Sequence, residues 1–516
     1  MLFNIVINMI FLFSLFPSTT FSHTMSKATK RVVVVGGGAA GYMSAIQCAQ
    51  LLRSHSLDEK QVDVIILEAG PKPLQKVEIS GGGRCNVMHN PYIGNKVISS
   101  GYPRGSKELL GPYNKQFGPM DTYKFFSDKT PLKVEADGRV FPETDKSSTI
   151  INILLSSAKD GAVRSSCSTN VKEINKLDDN TFHVKYTVKQ EEGGKKEVEL
   201  NCDKLIFATG SSPTGYKMLK SLTHEIVNPV PSLFSFKIND DSLTALAGLS
   251  VSDASVDLVI LKEFIKENRE LVRPHNMKIF NQRGPVLFTH QGLSGPGILK
   301  LSAFGARVLK KMNYNFDIKI SWIPQVDLNE MIDHLQDTKK RYAKKQIGKA
   351  FPPIDLVEEE DWDNYYDSSS SSFELEDVDA DVEEMNIKGT LPKRLWQYLL
   401  TRSEVPTQKN WAEITNDEIK RIATAVCAFT VNINGRGLYR DEFVTAGGVN
   451  LKEVNFKDMQ SKLVQGLYLA GECMDIDGIT GGYNFQSAWT SGAIAGQACA
   501  RELLNEFGIE QNENET

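Results

Sequence analysis

The chain has 516 residues, of which 41% are hydrophobic and 24% charged, and a net charge of −5. That is the make-up of an ordinary globular protein, and at roughly 150 residues per domain it suggests two to four domains. It excludes wholesale disorder, a collagen-like repeat and a multi-span membrane protein. Seven cysteines are too few, and odd in number, for a disulfide framework, which favours a reducing compartment.

Residues 1–30 read as a targeting presequence. The segment 2–16 is apolar except for Asn4, Asn8 and Ser14, the length of a signal h-region and too short for a comfortable membrane span. Ser18, Thr19 and Thr20 offer a cleavage site, a basic and hydroxylated stretch follows, and no acidic residue precedes Asp58. This resembles the two-part plastid presequences of algae with secondary plastids and implies an organelle. Translation from Met25 would instead leave a cytoplasmic protein.

From Arg31 to Glu68 the pattern is strand, tight turn, helix, strand. The β-branched run 32–35 suits a buried parallel strand. Gly36-Gly37-Gly38-Ala39-Ala40-Gly41 then satisfies G-x-G-x-x-G where a helix opens. In such a turn Gly36 allows the bend, Gly38 lets backbone approach a pyrophosphate, and Gly41 lets helix and strand pack closely. Amides at the helix start, including those of Ala39 and Ala40, face the phosphates. The helix continues through 42–52, and a second strand, 62–67, ends at Glu68 and Ala69. An acid there accepts hydrogen bonds from both ribose hydroxyls, which favours FAD or NAD over NADP.

Downstream, 171–205 reads as a β-meander running into a buried strand that ends at Ala208-Thr209-Gly210. Short apolar segments such as 255–261 and 316–323 make 225–322 β-rich, and 326–430 turns helical. Within the latter, 355–384 holds fourteen acidic residues and no Lys or Arg, the composition of a disordered solvated loop. Setting those carboxylates aside turns the chain's −5 into +9. A short strand then ends at Gly471 and Glu472. Last, Gly481-Gly482-Tyr483-Asn484 opens a helix reaching 504, with small residues at Ser491, Gly492, Ala495 and Gly496.

Together these landmarks resemble the FAD domain of the glutathione-reductase-type flavoproteins. The resemblance implies that Ala208, Thr209 and Gly210 lie against the cofactor and that Gly471 and Glu472 meet the ribityl chain. It also aims the last helix, from Gly482, Tyr483 and Asn484, at the pyrimidine side of the flavin. Further motifs are Lys76 with Ser80-Gly81-Gly82-Gly83-Arg84-Cys85-Asn86, Gly138-Arg139-Val140-Phe141-Pro142, and Thr289-His290-Gln291-Gly292-Leu293-Ser294-Gly295-Pro296. Leu391-Pro392-Lys393-Arg394-Leu395, Thr445-Ala446-Gly447-Gly448-Val449 and Gly478-Ile479-Thr480-Gly481-Gly482 continue the series. In that order they are similar to the BaiN-type, aminoacetone-oxidase-like FAD-dependent oxidoreductases, a family that includes a bile-acid reductase. This implies an α/β Rossmann-like FAD-binding domain with a β-meander, split by an inserted β-rich part and a small helical part. The expected boundaries are 31–220 and 437–508 for the FAD domain, 221–325 and 326–436 for the insertion, and 509–516 for a tail. Lys76, Gly83, Arg84, Cys85 and Asn86 join the cofactor site by the same resemblance. After Gly210 the family's Gly/Ser-rich segment is shortened here to Ser211-Ser212-Pro213-Thr214-Gly215.

Flavin supplies the redox chemistry and the protein supplies orientation. The expected activity is hydride transfer between flavin N5 and a small organic substrate. NAD(P)H is then a transient donor, since no second G-x-G-x-x-G follows the first. The inserted part is the expected roof of the pocket, with His290 as its candidate proton donor. Cys85 has no neighbouring Cys, so it reads as a packed thiol beside the cofactor. No metal-ligand spacing occurs. The alternatives are an O₂-using oxidase, a flavin-dependent RNA-modifying protein, and a flavin binder without catalysis. Against RNA, +9 over this length suggests no clustered patch, and no recognition module is visible.

Overall fold

The computed structural model describes residues 30–189, 194–355, 388–437 and 444–509. The presequence (except Lys30), the acidic stretch 355–384 (except Asp355) and the tail 509–516 (except Ile509) lie outside the described residues. The chain forms two compact units, Met1–Pro229 with Gly447–Thr516, and Val230–Ala446. The divisions fall at 229/230 and 446/447, where the sequence suggested 220/221 and 436/437. The inserted β-rich and helical parts form one unit.

The first unit is built on β1 (Lys30–Val35), α1 (Ala39–Ser54), β2 (Val62–Leu67) and β3 (Arg164–Ser166). They are followed by β4 (Thr169–Lys176), β5 (Phe182–Lys189), β6 (Lys195–Cys202) and β7 (Lys204–Phe207). After the insertion come β8 (Leu467–Leu469) and α2 (Tyr483–Glu506). The parallel sheet runs β8-β7-β1-β2-β3, with a short antiparallel hairpin beyond β8. All six residues of β2 and four of β1 are buried. A parallel sheet covered on both faces demands such unbroken apolar strands. The antiparallel meander β4-β5-β6 leads into β7.

Helices α1 and α2 pack closely because α2 presents glycine at the contact. A Cβ on Gly492 would stand 2.6 Å from Ala40 O, and one on Gly496 2.1 Å from Ser44 O. The first turn of α1, which carries the phosphate-binding amides, is thereby fixed against the last helix of the chain.

The second unit holds a seven-stranded antiparallel sheet centred on Ser250–Leu258, Asn281–Thr289 and Phe316–Ser321. Helices Leu328–Arg341, Lys393–Arg402 and Asn416–Cys427 bury Leu335, Trp396 and Ile422 in the core of the same unit. The stretch expected to be helical up to 430 ends in an edge strand, Phe429–Ile433, paired with Phe316–Ser321. Its alternation of buried Phe429, Val431 and Ile433 with exposed Thr430 and Asn432 is the period of a half-buried strand.

Candidate functional site

The site grows from the turn between β1 and α1. Gly36 has φ +107°, and a Cβ there would lie 2.4 Å from Ala208 O. One on Gly41 would lie 1.9 Å from Gly36 O. Both positions therefore need glycine to bring β1, β7 and α1 together. Gly38 differs: a Cβ there meets nothing within 4 Å. It is the N-cap of α1 and supplies no side-chain cap, so the amides of Ala39, Ala40 and Gly41 have no intrahelical acceptor. Open space in front of an uncapped helix start is what a dinucleotide pyrophosphate occupies.

Glu68 stands beside that turn. Its Oε2 accepts from Gly37 N and its Oε1 from Gly70 N, both at 2.6 Å. Two backbone donors fix the carboxylate's orientation and leave lone pairs for ribose hydroxyls. Ala69 next to it is exposed.

On the other side of β7, Gly210 has φ +60°, and a Cβ there would be 3.6 Å from Glu472 Oε2. Glu472 follows β8 in a turn whose Gly471 N donates to buried Ser491 Oγ at 2.8 Å. Lys76 Nζ reaches Glu472 Oε2 at 2.7 Å across 396 positions of sequence. The structure thus brings together Gly36, Glu68, Ala208, Thr209, Gly210, Gly471, Glu472 and Lys76 in one unit. The shortened segment after Gly210 begins a helix, Pro213–Ser221, capped by Ser212 Oγ accepting from Gly215 N.

The start of α2 is held from several directions. Asn484 Oδ1 accepts from Gly478 N at 2.8 Å, and its Nδ2 donates to Gly478 O at 3.0 Å. Tyr102 OH donates to Tyr483 O at 2.6 Å and accepts from Tyr113 OH at 2.7 Å. His89 stacks on Tyr483 with centroids 4.8 Å apart, and its Nδ1–H donates to Gly481 O at 3.0 Å. Arg104 pairs with fully buried Asp477. Gly482, at φ +95°, is the N-cap of α2 and supplies no side-chain cap; it packs closely on Met88, a Cβ there standing 2.2 Å from Met88 C. The sequence reading missed His89, Tyr102, Arg104 and Asp477, whose partners lie hundreds of residues away and leave no local mark.

The Ser80–Asn86 loop winds through three left-handed glycines, Gly81, Gly82 and Gly83, at φ +56° to +85°. Arg84 anchors it: Nε donates to Asp145 Oδ1 at 2.7 Å, Nη2 to Glu135 Oε1 at 2.5 Å, and the guanidinium lies 3.9 Å over the Phe141 ring. Its role in this structure is to hold the loop, with those donors committed to carboxylates. Cys85 is buried, and that burial pushes its thiol up to about 12. A thiol with so little thiolate at neutral pH is a packing group. Gly81 lies against Asn86, 3.0 Å from a Cβ there to Asn86 N. His290 belongs to the second unit, exposed at the turn between Asn281–Thr289 and Gly292–Ser294.

With this geometry in place, the family description that matches the sequence is the HI0933-like protein Rossmann domain, over residues 30–498. The chain belongs to the HI0933-like family. It is an FAD-dependent oxidoreductase with a Rossmann-like FAD-binding domain. Similar proteins include the 3-dehydro-bile acid Δ(4,6)-reductase of Clostridium scindens, 24% identical over 91% of this chain and 99% of that one. The ribosomal RNA dihydrouridine synthase of Escherichia coli is 25% identical over 92% and 97%, and that of Haemophilus influenzae 24% over 91% and 98%. Among solved structures, the HI0933-like chain is similar to the 3-ketosteroid-Δ4-(5α)-dehydrogenase of Rhodococcus jostii RHA1. That likeness has a TM-score of 0.42 and 14% identity, over 93% of this chain and 99% of that one. Among the described residues no helix is long and apolar enough to cross a membrane.

Proposed function

We propose that this HI0933-like protein is a reductase that takes two electrons from NAD(P)H and saturates a carbon–carbon double bond conjugated to a carbonyl in a small organic substrate. The observation that carries the reading is the fixed start of α2, where Gly482 packs on Met88 and Asn484, Tyr102 and His89 hold the first turn in place. A fixed helix N-terminus favours negative charge placed against it, at no cost of reorganisation during reaction. When bound, FAD would supply hydride chemistry, and a helix start of this kind would favour negative charge placed against it. Glu68 and the α1 amides would hold the ribose and pyrophosphate, while Glu472, paired with Lys76, would meet the ribityl hydroxyls.

The chemistry of the relatives' names supports the same reaction class. A Δ(4,6)-reductase of a 3-oxo compound and a dihydrouridine synthase both add two hydrogens to a double bond conjugated with a carbonyl. In that reaction the β-carbon receives hydride and the α-carbon a proton, while NAD(P)H becomes NAD(P)⁺. A second reading, reduction of uridine within RNA, is favoured by the two relatives named for ribosomal RNA.

The test is anaerobic mixing of the FAD-loaded protein with NADH or NADPH, followed by addition of a cyclic enone or a uridine-containing RNA. Bleaching of the flavin by nicotinamide and its recolouring by enone supports the first reading; recolouring by RNA alone selects the second. Recolouring by O₂ alone, with neither acceptor effective, refutes the reductase in favour of an oxidase.

A further inference from the structure

One run of the chain gathers cations more densely than an average of +9 suggests, against the expectation of no clustered patch. Between 339 and 349 the sequence reads Lys-Lys-Arg-Tyr-Ala-Lys-Lys-Gln-Ile-Gly-Lys. Lys339 turns inward and donates to Ile414 O at 2.5 Å. Lys340, Arg341, Lys344, Lys345 and Lys349 are exposed, and so is Tyr342, at 43%. Asp337 pairs with Lys340 at 3.0 Å. Arg341, Lys344, Lys345 and Lys349 make no ion pair among the described residues.

The helix macrodipole accounts for part of this run. Leu328–Arg341 ends at Arg341, and cations in a last turn are stabilised by the helix carbonyls. Lys344, Lys345 and Lys349 lie past that end, where no dipole asks for them. They are also displayed on a fixed backbone. Ile347 N donates to Lys409 O and Gly348 N to Thr407 O, each at 3.0 Å, and buried Trp396 donates through Nε1 to Ile347 O at 2.8 Å. Lys345 Nζ sits 4.4 Å over the Tyr342 ring, which holds a cation beside an exposed aromatic. Cations without an ion pair among the described residues, gathered beside such a ring, match the phosphates and stacking bases of single-stranded RNA.

We propose that the surface formed by Lys340, Arg341, Tyr342, Lys344, Lys345 and Lys349 is a docking site for RNA. The proposal deepens the RNA reading of the function and rests on it, but docking and uridine reduction are measured separately. The experiment uses the FAD-loaded full chain and a fluorescent oligouridylate, with binding read by anisotropy in the absence of reductant across a salt series. The K344Q/K345Q/K349Q variant should weaken binding by roughly tenfold or more. It should also flatten the dependence of log Kd on log salt by about 2, the loss expected for three phosphate contacts on a single strand. Y342A should weaken binding roughly fivefold or more with the salt slope unchanged. FAD content and flavin reduction by nicotinamide should match the unmodified protein, showing that both variants fold. Equal affinity and slope in the triple variant overturn the proposal. So does binding to phosphatidylserine vesicles but not RNA, or RNA binding that emerges only when 358–384 are deleted. Docking without uridine reduction leaves the surface standing and refutes only the uridine reading.

Discussion

Gly38 separates what the fold needs from what the cofactor needs. A Cβ at Gly36 or Gly41 collides with backbone, at 2.4 Å from Ala208 O and 1.9 Å from Gly36 O, whereas one at Gly38 meets nothing within 4 Å. The Gly38 backbone is extended, at φ −86° and ψ −166°, which any residue adopts. Gly38→Ala should therefore change the stability of the apoprotein by no more than about 1 kcal/mol, with the loss of a preferred N-cap opposing the stiffer unfolded chain. The same methyl occupies the space assigned to the pyrophosphate and pushes it off the α1 amides. Losing one charge-assisted hydrogen bond, at about 1.5–3 kcal/mol, predicts FAD affinity lower by roughly 10- to 150-fold, and losing two by more. Gly41→Ala should instead destabilise the apoprotein by about 3 kcal/mol or more, because backbone must move. Chemical denaturation of both apoproteins, with FAD titration followed by flavin fluorescence, gives both numbers. Unchanged FAD affinity in a stable Gly38→Ala protein would refute the placement of the pyrophosphate.

Glu68→Gln should destabilise the apoprotein by about 1–3 kcal/mol, since one of the Gly37 and Gly70 amides then faces an NH₂ donor; equal denaturation midpoints would contradict this. Asn484→Ala removes both hydrogen bonds to Gly478 and should lower the flavin midpoint potential by loosening the α2 start, which spectroelectrochemistry reads. A potential equal to that of the unmodified protein would detach α2 from the redox function. Cys85 titrates near 9 when exposed and is pushed up to about 12 by burial, so folding favours its neutral form. Its contribution is complete below pH 9 and is lost as pH rises from 9 to about 12. Cys85→Ser should reduce that alkaline decline in stability, and native protein at pH 8 should leave Cys85 unalkylated by iodoacetamide. Rapid labelling there would mean an exposed thiolate.

The parts of the site that were legible in sequence are those fixed by local geometry. The run 32–35 had to be β-branched because the sheet is covered on both faces. Gly36, Gly38 and Gly41 had to be glycine within six positions, and Glu68 had to end the next strand. Each of these constraints leaves its mark on residue type within one turn or one strand, even where, as for Gly36 against Ala208, the contact that imposes it is distant. The pairs Lys76–Glu472, His89–Gly481 and Arg104–Asp477 act across 396, 392 and 373 positions. A lone Lys, His or Arg carries no sign of its distant partner, so these side chains emerge only when the sheet brings 76–104 beside the segment after β8.

A different failure hid two features whose signals were local. The alternation Phe429-Thr430-Val431-Asn432-Ile433 is a strand pattern, yet it follows a helical stretch and was absorbed into it. Its pairing with Phe316–Ser321 overrides that neighbourhood, because the sheet edge offers five backbone partners that a continued helix would forgo. The basic run 339–349 was lost to averaging: even with the fourteen carboxylates of 355–384 set aside, +9 was spread over the whole remaining length. A phosphate backbone responds to charge within about a Debye length, roughly 8–10 Å at physiological salt, and Lys344, Lys345 and Lys349 fall within six consecutive positions. Net charge therefore measures the wrong quantity for a polyanionic partner. What decides binding is whether cations left without carboxylate partners stand on a rigid backbone, and here Ile347, Gly348 and Trp396 supply that rigidity.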